Sequence, residues 1–145
     1  MRGMNQIVMV LAALVLGAGR VAAQDGFVVI VNEASSVTEL TADDLSRLFL
    51  KRTTQWDNGQ TVVPIDQSEN TDARARFSDA VHGKSVSAIK AFWQRQIFSG
   101  RGVPPVEKAS DREVIAYARA NPNAIGYVAP GSALAPGVRA IRIIR

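Results

Sequence analysis

The chain has 145 residues, 47% apolar and 21% charged, with 17 basic and 13 acidic residues, one histidine and no cysteine. That length suits one small domain with a single core. The lack of cysteine excludes disulfides, thiol catalysis and a lipid-modified cysteine, and no cluster of Lys and Arg marks a nucleic-acid surface.

Met1 to Ala23 carries a basic start at Arg2, an apolar run from Ile7 to Ala18, and "VAA" at Val21 to Ala23. This order is that of a secretory signal peptide over residues 1–23, cleaved before Gln24. The apolar run is shorter than the roughly 20 residues that span a bilayer. An uncleaved anchor or a buried helix is the alternative, and Arg20 beside the cleavage site leaves room for it. Without Arg2 and Arg20 the formal charge falls from +4 to +2, so the high pI partly reflects this segment.

"FVVIV" (Phe27 to Val31) predicts a strand buried on both faces. "LTADDLSRLF" opens a helix with Thr41 as N-cap, a Leu40–Leu45 staple, and Leu45, Leu48 and Phe49 on one face. "WDNG" is a turn, because Asn58-Gly59 readily takes positive φ. "TVVPI" reads as a second strand whose Pro64 argues for a sheet edge or a strand end.

A helical stretch from Thr71 to His82 follows, stopped by Gly83. From Ser85 to Phe98, Val86, Ile89, Trp93 and Ile97 fit a 3.6-residue period, with Phe92 widening the stripe. "SGRGVPP" breaks the chain, and "SDRE" at Ser110 to Glu113 is a capping box for a helix toward Ala120. "NPNAIGYV" reads as helix stop, turn and strand, and "GVRAIRII" as one last strand. Alternating strands and helices predict an α/β layered domain. Its expected core is Phe27, Val29, Val31, Leu45, Phe49, Ile65, Phe77, Ile89, Trp93 and Ile125.

Several chemical motifs fail on inspection. "GKS" at Gly83 to Ser85 has Ser78 where a phosphate-binding loop needs its first glycine. A single histidine, His82, excludes a histidine-rich metal site and leaves a triad one candidate. Asp43-Asp44 are ordinary first-turn acids, and Phe92 and Trp93 suit a core better than a ligand platform. No nucleophile, base and orienter assemble, so no enzyme, cofactor or metal is expected.

"LSRLFLKRTTQWDNGQTVVPIDQSENTDARARF", followed much later by "NPNAIGYV", resembles the substrate-binding proteins of phosphate ABC importers. The resemblance runs from Phe27 to Val128 and implies that residues 24–145 form one three-layer α/β lobe. That lobe is like one domain of a type II periplasmic binding protein. On the family's pattern of arginine then Ser-Gly-Thr, the arginine falls on Gln67, the serine on Thr71, the glycine on Asp72 and the threonine on Ala73. Only the serine position keeps a hydroxyl.

The implied ligand is inorganic phosphate or another small oxyanion, held at the start of the Thr71 helix by Ser68, Asn70, Thr71 and Arg74; the alternative is that Thr71 or Asn70 only caps its own helix. Glu69 and Asp72 oppose an anion there, so binding is expected to be weak or dependent on a partner lobe. The alternative is a periplasmic adaptor or sensor-input module that docks a periplasmic or inner-membrane protein and has lost its ligand. Either way the expectation is a periplasmic protein without a stable membrane anchor after signal cleavage and without a nucleic-acid partner.

Overall fold

A computed structural model describes residues 26–145; the expected signal peptide and its cleavage site lie outside the described residues. The strands are β1 (Val28–Asn32), β2 (Glu39–Thr41), β3 (Val63–Gln67), β4 (Val106–Lys108), β5 (Ala124–Val128), β6 (Val138–Ala140) and β7 (Arg142–Ile144). The helices are α1 (Ala42–Phe49), α2 (Asp72–Phe77), α3 (Val86–Phe98) and α4 (Asp111–Ala120), and a π-helical turn, Ser78–His82, continues α2. Five strands form a mixed sheet in the order β4-β3-β5-β1-β6, and β2 pairs with β7 in a separate parallel ribbon. In the main sheet β3 runs parallel to β4 and β5, while β1 runs antiparallel to β5 and β6.

Side-chain alternation divides the core into two layers. Val29 and Val31 of β1 and Ile125 and Tyr127 of β5 face α1, α2 and the π-turn, where Leu45, Leu48, Phe49, Phe77 and Val81 meet them. Ile30, Ala124 and Val128 face the other way, against Val114, Ile115 and Ala118 of α4. The result is the three-layer α/β lobe, and every residue of the expected core is buried. Phe77 is the centre of the first layer: its ring stacks on Tyr127 at 4.0 Å and meets Phe49 at 4.7 Å and Phe27 at 5.3 Å. Contacts of this kind add about 0.5–1.5 kcal/mol each beyond area burial. On the opposite face Gly126 lets α4 approach, because a Cβ there would lie 2.9 Å from Val114 Cγ1.

Local capping explains where the helices start. Thr41, Thr71, Ser85 and Ser110 each accept a hydrogen bond from the backbone N–H three residues on. The capping-box glutamate closes on the Ala109 N–H at 2.9 Å, one residue before the cap.

Of the two places offered for Pro64, an edge or a strand end, the structure shows the second: it is the second residue of β3, and because the pairing with β4 begins only at Ile65, one side of it is free of the ladder. Two expectations need correction, the single last strand and the reach of the α3 stripe. The last strand is two: the chain leaves the main sheet at buried Ile141, whose N–H bonds Val29 O, and re-pairs with β2. The short strands β2 and β4 lack a periodic signal because each has three residues. Finally, the apolar stripe of α3 stops at Trp93. Ile89, Trp93 and Leu50 form a satellite cluster, whereas Ile97 is 54% exposed.

His82 closes the π-turn with Nδ1 2.8 Å from Ser46 Oγ, its ring edge-on to Phe77. Burial, and then Arg74, Arg52 and Lys84, push its pKa down to about 4. Because the folded value lies below the ordinary 6.5, the stability contributed by neutral His82 is full above about pH 6.5 and is lost as pH falls through about 4. Urea unfolding should show a decline on the order of 2–3 kcal/mol over that interval that is specific to this residue. His82→Gln should lack that component, and an identical pH profile in the variant would refute the assignment.

Candidate functional site

β3 ends at Gln67, and the next N–H, that of Ser68, still bonds Lys108 O of β4 at 3.0 Å. The chain then turns through Ser68, Glu69 and Asn70 into the cap of α2. Ser68 O accepts from the Thr71 N–H at 3.2 Å and from its hydroxyl at 3.3 Å. Thr71 Oγ1 in turn accepts from the Arg74 N–H at 3.1 Å. Ser68, Asn70 and Thr71 therefore share one loop, with Asn70 exposed and the other two half-buried. Among the described residues the N–H groups of Asp72 and Ala73 find no acceptor. They are the unpaired donors of the first helical turn; Asp72 is exposed, whereas Ala73 is a buried residue of the first core layer.

Arg74 lies elsewhere. It is 5% exposed, and its Nη1 donates to Gln67 O at 2.7 Å while meeting Asp66 Oδ1 at 3.1 Å and Glu107 Oε1 at 3.3 Å. The guanidinium is thus committed beneath the loop, where two carboxylates surround one cation. Tyr127 donates its hydroxyl to the same Asp66 oxygen. Burial pushes the Asp66 carboxyl up, with Arg74, Tyr127 and the Gln67 N–H pulling the other way. The Tyr127 phenol is also raised, first by burial and then by the charge of Asp66, so it stays a donor.

Gln67, the position to which the resemblance assigns an arginine, has a structural task. Its Nε2 donates at 2.8 Å both to Asp111 Oδ1 and to Tyr127 O. Asp111, the first residue of α4, also accepts from the Ala129 N–H and the Ser132 hydroxyl. The amide therefore ties β3, β5 and α4 together and points away from any ligand role. Asp66, Glu107, Asp111 and Tyr127 were not singled out from the sequence, and Gln67 was noted only as the position where the resemblance implies an arginine. The available signal was "IDQ", adjacent polar residues in a strand that must find partners once buried.

Charge around the loop is closer to balance than the sequence implies. Glu69 pairs with Lys90 of α3 at 2.8 Å, and that hydrogen bond holds its carboxyl below the usual range. Asp72 has only a long contact to Arg76, 3.7 Å, one helical turn on. Among the described residues no three His, Asp or Glu side chains converge as a metal would require. A separate cleft of about 430 Å³, walled by Val37, Leu40, Arg47, Trp56 and Asn123, lies where β5 begins, the opposite end of the sheet from Ser68–Thr71.

A family model described as the PBP superfamily domain matches residues 18–140. Among solved structures, an ABC-type phosphate transport receptor from Vibrio cholerae is 21% identical, with 81% of this chain and 46% of that one covered, at a TM-score of 0.59. A protein from Clostridium perfringens, described as a phosphate ABC transporter substrate-binding protein with bound phosphate, is 17% identical over 81% of this chain and 44% of that one, at a TM-score of 0.65. PstS from Borrelia burgdorferi gives 17%, 81%, 47% and 0.58 in the same order. At these identities the likeness is one of fold, and the chain spans less than half the length of each of the three. No curated protein matches the chain. With the family model covering the lobe from its first described residue through β6, the chain belongs to the PBP superfamily.

Proposed function

We propose that the lobe in this chain binds a solute, a small oxyanion of the phosphate type, at the start of α2, weakly or with a partner lobe. The observation that carries this reading is the pair of unpaired N–H groups on Asp72 and Ala73, which follow directly on the loop that contains Ser68 and Asn70. These donors open a helical run that continues without a break through the π-turn to His82. Thr71 shapes the site by capping, while Arg74 contributes only from beneath the loop. A desolvated phosphate needs charge-assisted donors, and backbone amides alone supply about 0.3–1 kcal/mol through the helix dipole at exposed sites. Affinity in the millimolar range is therefore expected of the isolated lobe.

One observation favours the alternative, a periplasmic adaptor without a ligand: Asp66 and Glu107 already neutralise the nearest arginine. Either reading is one of binding and not of catalysis. The Ser46–His82 contact is a poor base pair, since neighbouring cations and burial hold the imidazole near pKa 4. Export is part of both readings, with residues 1–23 removed as a signal peptide and the protein acting in the periplasm. Intact-mass analysis of the periplasmic fraction should then give a chain beginning at Gln24; a dominant full-length species in the membrane fraction would refute it.

The two readings separate on Glu69→Gln combined with Asp72→Asn. If an oxyanion binds, removing both carboxylates and freeing Lys90 from its partner should tighten phosphate binding by about 3- to 10-fold at low salt, where exposed charges are least screened. Calorimetry or amide chemical shifts of Asp72 and Ala73 under phosphate and sulfate would report it. No heat and no shift at millimolar anion in either protein would remove the solute-binding reading and leave the adaptor.

A further inference from the structure

The second half of α3 leaves the body of the lobe. Its first half is held by Leu50, Ile89 and Trp93, with Phe92 packed against them. Beyond Trp93 that support ends: Ile97 is 54% exposed, Phe98 95% and, past the helix, Val103 63%. Ala91, Gln94, Arg95 and Phe98 recur at i, i+3, i+4 and i+7, a continuous face turned away from the Ile89–Trp93 contact, and with Ile97 they line a shallow groove. Gly100 and Gly102 have no atom within 4 Å of where a Cβ would stand, so the connection that follows protrudes as well.

This arm is also uniformly basic. Between Ala80 and Val106 the chain carries Lys84, Lys90, Arg95 and Arg101 and no carboxylate. Among the described residues Lys90 alone of these has an ionic partner, Glu69. Arg95 and Arg101 bracket Ile97 and Phe98 with their charges unanswered.

We propose that this tip, Arg95 to Val103, docks on an anionic bilayer surface. Exposed Phe and Ile seat at the boundary between headgroups and acyl chains, while flanking arginines meet lipid phosphates. A second copy of the chain is disfavoured because it would bring the same unpaired arginines together. A rigid protein interface is disfavoured by extent: three protruding apolar side chains fall well short of the roughly 800 Å² per partner that stable complexes bury. A bilayer needs no matching cavity and accepts a convex wedge. The contact is peripheral and reversible, distinct from a membrane-spanning anchor; among the described residues no helix is long and apolar enough to cross a membrane.

The lack of native cysteine permits a direct test on the full chain. Val103→Cys and, in the exposed loop that leads into the opposite edge strand β6, Ala133→Cys would each carry an environment-sensitive dye. Vesicles of phosphatidylglycerol should blue-shift the dye at position 103 and leave that at 133 unchanged, and phosphatidylcholine vesicles should shift neither. Arg95→Gln and Arg101→Gln should each weaken the apparent partitioning about fivefold, and Phe98→Ser, at a position too exposed to affect folding, should abolish the shift. Equal shifts on both lipids, no shift on either, or a shift that follows self-association without vesicles would overturn the proposal. A shift with polyglutamate in place of vesicles would also overturn it, assigning the tip to an acidic protein.

Discussion

Asp66 and Arg74 meet at 3.1 Å in a place where each side chain is only 6% exposed, and most of what surrounds the Ser68–Thr71 loop is arranged around that contact. Arg74 comes from the first turn of α2, Asp66 from the end of β3, Glu107 from β4 and Tyr127 from β5. The guanidinium therefore joins α2 to β3 and β4, and Asp66 carries the link on to β5 through Tyr127. The same Tyr127 that donates to Asp66 stacks its ring on Phe77, so the polar cluster and the aromatic core share a side chain. Taking both charges from water costs several kcal/mol per ion, recovered only when geometry and hydrogen bonds are good. Here no buried side-chain nitrogen or oxygen among the described residues is left without a partner.

That arrangement has a consequence for ligand chemistry. A lobe of this type can meet an anion with an arginine or with backbone amides. In this chain the nearest arginine is already paired below the loop, and a glutamine cross-links β3 to α4 where the resemblance implies another arginine. What remains in the loop and first helical turn is the half-buried Ser68 hydroxyl, the exposed Asn70 amide and the unpaired N–H groups of exposed Asp72 and buried Ala73. An oxyanion held there would meet little compensating charge, so a weak site or a docking role is proposed in preference to tight capture.

Much of the architecture could be read from the chain. "FVVIV" and "NAIGYV" announce strands through their β-branched runs, and Thr41 and Ser110 announce helix starts through capping chemistry that depends on neighbours only. Local signals of this kind survive folding unchanged. Ile97 and the final strand were misread because each depends on what lies alongside: α3 outrunning its support, and β1 ending its pairing at Ala140. The start of α2 was legible, since Thr71 caps it through the Arg74 N–H as local capping chemistry requires. The fate of Arg74 was not, because its partners are 8 and 33 residues away in sequence and converge only through sheet pairing.

A double-mutant cycle on Asp66 and Arg74 tests this account most directly. Arg74→Met leaves a buried carboxylate without its cation and should cost about 3–5 kcal/mol in urea unfolding at pH 7. Adding Asp66→Asn removes that stranded charge while keeping an acceptor for Tyr127, so the double variant should recover a large part of the loss. Costs that simply add, to within about 0.5 kcal/mol, would show that the two residues do not depend on each other and would contradict the central role given to this pair.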